Sequence, residues 1–309
     1  TEWWYIPGHA QAQGRSFGFQ VTFFRSRVDA TQGMQSRFAA KQLVFAHAAV
    51  TDVHGGKLWH DQRIARAGFG IAEAATGEAR LRLRDWSLQR DAAGWHAVVP
   101  AAGFALDLRC AATQPVLLQG RAGLSRKGPQ EEQASYYYSE PQLAVSGRLA
   151  LQGTEFQVQG KAWMDHEWSE ALMHPEAVGW DWIGMNLDDG SALTAFRLRR
   201  KDGSTLWDGG SFRSAGGSLY VASPGETEFS PQKRWTSPAT NASYPVEWLV
   251  RTPADIYTVR AVLPNQELDS RGSTGAVYWE GLSDLIDSNG KAVGKGYLEM
   301  TGYASPLRL

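Results

Sequence analysis

The stretch Gly160-Lys161-Ala162-Trp163-Met164-Asp165-His166-Glu167-Trp168 returns near the C-terminus as Gly294-Lys295-Gly296-Tyr297-Leu298-Glu299-Met300, with an aromatic, an apolar and an acidic residue in the same order. An acid-Trp step opens both candidate units, Glu2-Trp3-Trp4-Tyr5-Ile6 in the first and Asp181-Trp182-Ile183 in the second. Tyr138-Ser139-Glu140 precedes the first closing block as Tyr278-Trp279-Glu280 precedes the second. Ordered echoes of this kind predict a duplicated chain. The junction is expected between Ala171 and Val178, giving an N-terminal unit of residues 1–172 and a C-terminal unit of residues 173–309. Met300 stands where the first copy has His166, and the acid-Trp ending dissolves into Thr301-Gly302-Tyr303. The units are therefore expected to share a scaffold while chemistry sits asymmetrically.

Strand-like runs recur at Ser16–Arg25, Gln42–Thr51, Ala79–Gln89, Gly103–Cys110, Ser146–Gln152 and Glu155–Trp168. In Ala79-Arg80-Leu81-Arg82-Leu83-Arg84 the arginines and the apolar residues alternate with a period of two, as in a half-buried strand. Turn chemistry separates the runs: Gly55-Gly56, Asp91-Ala92-Ala93-Gly94, Asp188-Asp189-Gly190, Lys201-Asp202-Gly203 and Ser288-Asn289-Gly290 all suit hairpins. Long amphipathic helices are hard to find. Ser214–Asn241, rich in Gly, Ser, Pro and Thr, reads as an extended or looped excursion. Two sets of roughly eight antiparallel strands, each from one continuous segment, close most simply as meander barrels, which avoid open edges.

With 309 residues, 43% of them hydrophobic, the chain can bury a sizeable core and is expected to form two domains. Lys and Arg total 31 against 32 Asp and Glu, so no basic field exists to gather nucleic acid or anionic lipid. The 13 Trp, 12 Phe and 10 Tyr supply more flat apolar surface than two small cores need, which points to a large lipophilic ligand or to Trp-filled barrel bases. Cys110 is the single cysteine and rules out an internal disulfide. No apolar run reaches the length of a membrane span. The sequence starts at Thr1 on a strand-like aromatic run, so an upstream piece such as a cleaved signal peptide is expected.

Several of these blocks together, Glu2-Trp3-Trp4-Tyr5, Tyr136-Tyr137-Tyr138-Ser139, Trp163-Met164-Asp165-His166-Glu167-Trp168-Ser169, Gly179-Trp180-Asp181-Trp182 and Gly296-Tyr297-Leu298-Glu299-Met300-Thr301-Gly302-Tyr303, resemble the AttH-like, or carotenoid 1,2-hydratase-like, proteins. The resemblance runs from the first residues nearly to the last. It implies an all-β chain of two lipocalin-like (calycin) antiparallel β-barrels in tandem, exported to the periplasm or secreted. It also implies association of some members with envelope transport systems and a label as secreted hydrolases. Relatives in the wider family hydrate a terminal double bond of a carotenoid or guide cyclisation of polyenes. The hydratase branch typically carries glycine where this chain has Ser169, which looks more like the AttH-like branch.

A hydratase needs an acid to protonate an alkene, aromatic faces to stabilise the cation and a placed water. Asp165, His166 and Trp168 supply these types, with Asp181 as a second candidate acid. Trp4, Tyr138, Trp163, Trp180, Trp182, Tyr278 and Glu280 are the candidate ligand-binding residues. In a strand Met164, His166 and Trp168 face one way while Trp163, Asp165 and Glu167 face the other, so the acidic run cannot converge on one metal. No metal and no cofactor is assigned. Structural roles compete at each position: Asp165 or Glu167 pairing with an arginine at a barrel end, His166 bonding a carbonyl, and Trp3, Trp4, Trp180 and Trp182 closing barrel bases under cationic side chains. Gly-x-Ser-x-Gly is absent and Cys110 has no partner signature, which leaves hydrolysis little support. Three readings follow: a binder of an isoprenoid or fatty-acyl lipophile, a hydratase or cyclase of a polyene, and a non-enzymatic partner of an envelope transport system. A cavity lined by the acidic and aromatic residues favours the second, an apolar cavity remote from them the first, and solid barrels the third.

Overall fold

The computed structural model describes residues 1–170 and 173–307. A 13-stranded antiparallel sheet runs from the strand Glu2–Ala12 to the strand Thr154–Trp168, and a 10-stranded sheet runs from Gly179–Leu187 to Ala292–Met300. The described residues contain no α-helix, only a short 3-10 turn at Asp29–Thr31. Each sheet is a meander whose first strand pairs antiparallel with its last, Glu2–Ala12 with Thr154–Trp168 and Gly179–Leu187 with Ala292–Met300. The chain is thus all-β, with two lipocalin-like barrels in tandem. The expected junction after Leu172 falls on residues outside the described ones.

Local chemistry sets the meander. Gln13 and Gly14 both have positive φ, 51° and 75°, which gives a two-residue hairpin turn matched to strand twist. The expected single strand Ala79–Gln89 is instead a hairpin, Arg80–Leu83 and Trp86–Asp91, turned at Arg84 with φ 59°. A turn without glycine leaves the period of two almost intact and escapes a pattern reading. Ser214–Asn241, read as an extended or looped excursion, contains three short strands, Leu219–Ala222, Glu228–Pro231 and Arg234–Thr236.

Side chains alternate along each strand, so each barrel fills its own interior and offers its other face to a neighbour. Trp4, Ile6, Phe19, Trp86, Trp95 and Met164 pack the first interior, and Ile183, Met185, Trp248, Trp279 and Leu298 the second. A third cluster, with Tyr5, Trp163, Trp182, Phe196 and Tyr297, joins the barrels through their outer faces. The approach there is close: a Cβ on Gly18 would lie 2.7 Å from the Tyr297 hydroxyl. Buried amides clamp the contact, Gln142 N donating to Asn186 Oδ1 at 2.8 Å and Asn186 Nδ2 to the Ala162 carbonyl at 3.0 Å. No helix of the described residues is long and apolar enough to cross a membrane.

Candidate functional site

Between the outer faces of the two barrels lies a cavity of about 300 Å³. The residues that alternate with the core positions line it: Trp3 and Tyr5 beside buried Trp4, Asp165 and Glu167 beside Met164, and Trp180 and Trp182 beside Asp181. The second barrel also contributes Tyr278, Glu280 and Glu299. Strand parity alone therefore gathers acidic and aromatic side chains from both barrels at one place.

Asp165 is 3% exposed and accepts three hydrogen bonds. Ser139 Oγ and Trp163 Nε1 donate to Oδ1 at 2.6 Å, and the Tyr137 hydroxyl donates to Oδ2 at 2.7 Å. The direction of each donation is fixed from behind. Gln119 Nε2 donates to Ser139 Oγ at 2.9 Å, and Trp182 Nε1 to the Tyr137 oxygen at 3.2 Å. Such donors favour the anion, yet burial outweighs them and pushes the Asp165 carboxyl up to about 7.

Burial likewise raises Glu299 to about 7 against the Trp180 indole, which donates to it at 3.0 Å; the charges of Asp165 and Glu167 add to the rise. Glu280 is raised well above the carboxylate range by burial and by the neighbouring Glu299. The hydroxyls of Tyr5 and Tyr278 adjoin it and favour its anion without offsetting that rise. Glu167 differs, because it pairs with Lys127 at 3.0 Å and accepts a hydrogen bond from Ser135 Oγ.

Tyr278 is held by a directed chain. Gln62 Nε2 donates to the Asp269 carbonyl at 2.9 Å, so Gln62 Oε1 accepts the Ser273 proton at 2.6 Å. His47 Nε2 then donates to Ser273 Oγ, and Nδ1 accepts the Tyr278 hydroxyl proton, both at 2.8 Å. Burial brings the His47 imidazole down to about 3, so it stays neutral and keeps its acceptor nitrogen. Tyr278→Phe leaves that nitrogen buried and unpaired, and is expected to cost about 1–3 kcal/mol in a denaturant melt. An unchanged midpoint would remove the chain's structural role.

Of the sequence candidates, Asp165, Trp180, Trp182, Tyr278 and Glu280 line the cavity. Trp163 stands behind it, bonded to Asp165 and edge-on to Trp182 at 6.5 Å. The other candidates face elsewhere, and parity is the reason. His166, a candidate catalytic residue, points to the first barrel's interior side, where Nε2 meets Glu2 Oε1 at 2.8 Å and the ring stacks on Trp4 at 4.8 Å. Trp168 packs on that same face against His166 and the exposed Tyr136. Trp4 and Tyr138 border His166 as well, and the Arg25 guanidinium lies 5.9 Å from the Trp4 ring. Asp181 is fully buried inside the second barrel, paired with Arg197 at 2.7 Å and Arg199 at 3.0 Å.

The pairing registers also correct the echoes. Ser139 opposes Asp165 and Glu280 opposes Glu299, while Trp4 opposes His166 and Asp181 opposes Met300. With Asp165 matched to Glu299, Glu280 corresponds to Ser139 rather than Glu140, and Asp181 to Trp4 rather than Glu2. Glu140 sits on the other face, where it accepts from Trp95 Nε1 at 2.9 Å. The cavity thus holds equivalent acids, Asp165 and Glu299, from the two barrels, and Glu280 is an extra acid of the second.

Glu299, Glu167, Tyr5, Tyr137, Lys127 and His47 also line the cavity and were not among the sequence candidates. Glu299 was signalled by its place in the repeat and Tyr5 by alternation with Trp4. His47 had no local signal, because its partner Tyr278 lies 231 residues away. Among the described residues no group of His, Cys, Asp and Glu is arranged to hold a metal ion. Burial pushes the Cys110 thiol up to about 12, which removes it as a nucleophile.

The AttH-like family model matches residues 1–303. A solved structure from Nitrosomonas europaea, provisionally assigned as AttH, is 45% identical, with a TM-score of 0.91 over 98% of this chain and 92% of that one. Kievitone hydratase from Nectria haematococca shares the fold at 13% identity, with a TM-score of 0.77 over 98% of this chain and 89% of that one. The structure of CghA with Sch210972 is similar at 14% identity, with a TM-score of 0.51 over 98% and 88% of the two chains. A search of curated proteins finds no match. The breadth of the family match and the close likeness to the Nitrosomonas structure show that the chain belongs to the AttH-like family.

Proposed function

We propose that the protein binds a large lipophilic molecule in the cavity between its barrels and adds water to, or cyclises through, a carbon–carbon double bond, with Asp165 as proton donor. One observation carries the reading: a carboxyl held near neutrality opens on a cavity walled by aromatic rings. The two oxygens of a carboxylate offer about four lone-pair sites, and protein donors occupy two on Oδ1 and one on Oδ2. The acidic proton sits at the remaining site of Oδ2. It moves to one alkene carbon, and the neighbouring carbon becomes positive against the ring faces of Trp180 and Trp182. Water oxygen forms the new carbon–oxygen bond, its spare proton passes to the carboxylate cluster, and Asp165 regains its acid form. Alkene and water become an alcohol. A fold shared with a protein named as a hydratase is in keeping with this reading.

The test is incubation with a panel of terpenoid and polyene alkenes in water carrying heavy oxygen, read by mass spectrometry. Hydration predicts a product that gains one labelled oxygen and two hydrogens. A rearranged product without oxygen leaves the cyclase half standing and removes hydration. No product, together with no lipophile retained by the purified protein in native mass spectrometry, overturns the reading.

A further inference from the structure

The cavity's charge pattern is at odds with an anionic lipid. Asp165, Glu167, Glu280 and Glu299 line it, and the one lining lysine, Lys127, is spent on Glu167 at 3.0 Å. Among the described residues Asp165, Glu280 and Glu299 have no Lys or Arg partner; what faces them is hydroxyl, indole and ring. An uncompensated buried carboxyl is costly, and an oppositely charged partner placed against it removes most of that cost. Glu280 meets the uncharged hydroxyls of Tyr5 and Tyr278, and all three groups are buried and line the cavity.

The walls add to the same field. Trp3, Trp180, Trp182, Tyr137, Tyr278 and Phe45 present aromatic surface, and ring faces attract cations by their quadrupoles. The protein uses this pairing itself within the site: Lys127 Nζ lies 4.4 Å from the Phe196 ring centroid and 4.9 Å from that of Tyr137. The carboxyls are spread among rings rather than gathered as a ligand set for a metal ion. Rings and carboxyls around an apolar space suit an organic cation.

We infer that the cavity is selective for positive charge: it takes lipophiles with an ammonium-like head, or ones that become cationic during reaction, and rejects fatty acids and prenyl diphosphates. The inference rests on the cavity being the lipophile site, and it narrows that site's ligand class. A permanent ammonium here mimics the cation formed when Asp165 protonates an alkene. The groups that face Glu280 are Tyr5, Tyr278 and Glu299, with Asp165, Glu167 and Lys127 across the cavity and neutral His47 behind Tyr278. An entering cation favours the ionised carboxyls, so binding releases protons and tightens as pH rises through the range where Asp165 and Glu299 titrate.

Decyltrimethylammonium, decanol and decanoate, each below its micelle-forming concentration, separate charge from chain length. Their binding is followed by quenching of the cavity tryptophans and by calorimetry on the whole chain. At pH 8 the ammonium is expected to bind at least tenfold tighter than decanoate, with decanol between them, and several-fold tighter than it does at pH 6. Combined Glu280→Gln and Glu299→Gln should erase most of the ammonium's advantage and leave decanol binding in place, which also shows that the variant is folded. Decanoate binding as tightly as the ammonium at pH 8, or an ammonium affinity unmoved by pH and by both substitutions, overturns the inference. Decanol binding with no preference for the ammonium removes charge selectivity alone. Failure of all three to bind removes the lipophile reading along with it.

Discussion

Asp181→Ala is expected to destabilise the fold by about 3–5 kcal/mol, the usual cost of breaking a buried ion pair by removing one partner. Asp181 is fully buried and holds Arg197 and Arg199, while its Oδ1 accepts the Tyr303 hydroxyl at 2.9 Å. Without it two guanidinium groups remain in a barrel end with no other carboxylate partner among the described residues, only the Thr205 hydroxyl, the Thr301 carbonyl and rings, Trp248 at 5.2 Å from Arg197 and Tyr303 at 3.9 Å from Arg199. Cation–π attraction, about 2 kcal/mol for a desolvated pair, is already present in the wild type and does not offset the loss. Guanidinium melts of the wild type and Asp181→Ala measure the difference. A change below about 1 kcal/mol would mean that water or Glu side chains reach the arginines and that the end of this barrel is open.

The same residue shows how far the sequence could be read. Alternation, glycine-marked turns and the repeated blocks were enough for two meander barrels, because these depend on neighbours in the chain. The face of each residue in Trp163–Trp168 also followed from a period of two, and Asp165 duly lines the cavity while His166 does not. Asp181 could not be separated from Asp165 in this way, since both stand next to tryptophans in similar blocks. What separates them is register: Asp181 pairs with Met300 and so occupies the interior position held by Trp4 in the first barrel. Registers are set between strands far apart in sequence. An echo aligned by residue type can therefore slip by one or two positions, and a slip of one reverses the face. The His47 to Tyr278 contact, formed across barrels, lies further still beyond local pattern.

Asp165→Asn is expected to act on both stability and turnover, with pH signatures of the same sign. Burial raises the folded-state pKa of Asp165 from 3.8 to about 7, so the folded chain holds this proton more tightly than the unfolded one. The carboxyl's contribution is fully favourable below the unfolded pKa and is lost as pH rises through the folded value. At 1.36 kcal/mol per pKa unit, the wild type gives up about 3 kcal/mol between pH 5 and pH 8 through this group. Asparagine cannot ionise. The stability gap between wild type and variant should accordingly narrow by about that amount over the interval, even though the amide disturbs one of the three donors at every pH. Denaturation midpoints that shift in parallel for the two proteins would show that Asp165 is ionised throughout. Turnover runs in the same direction: the wild type needs the acid form, so its rate falls about tenfold per pH unit above about 7, whereas the variant is slower by roughly 10²–10⁴ at low pH and loses less on the way up. A carboxyl that carried only structure would give the stability curve without the rate curve, and that separation decides whether this cavity performs chemistry or only holds its ligand.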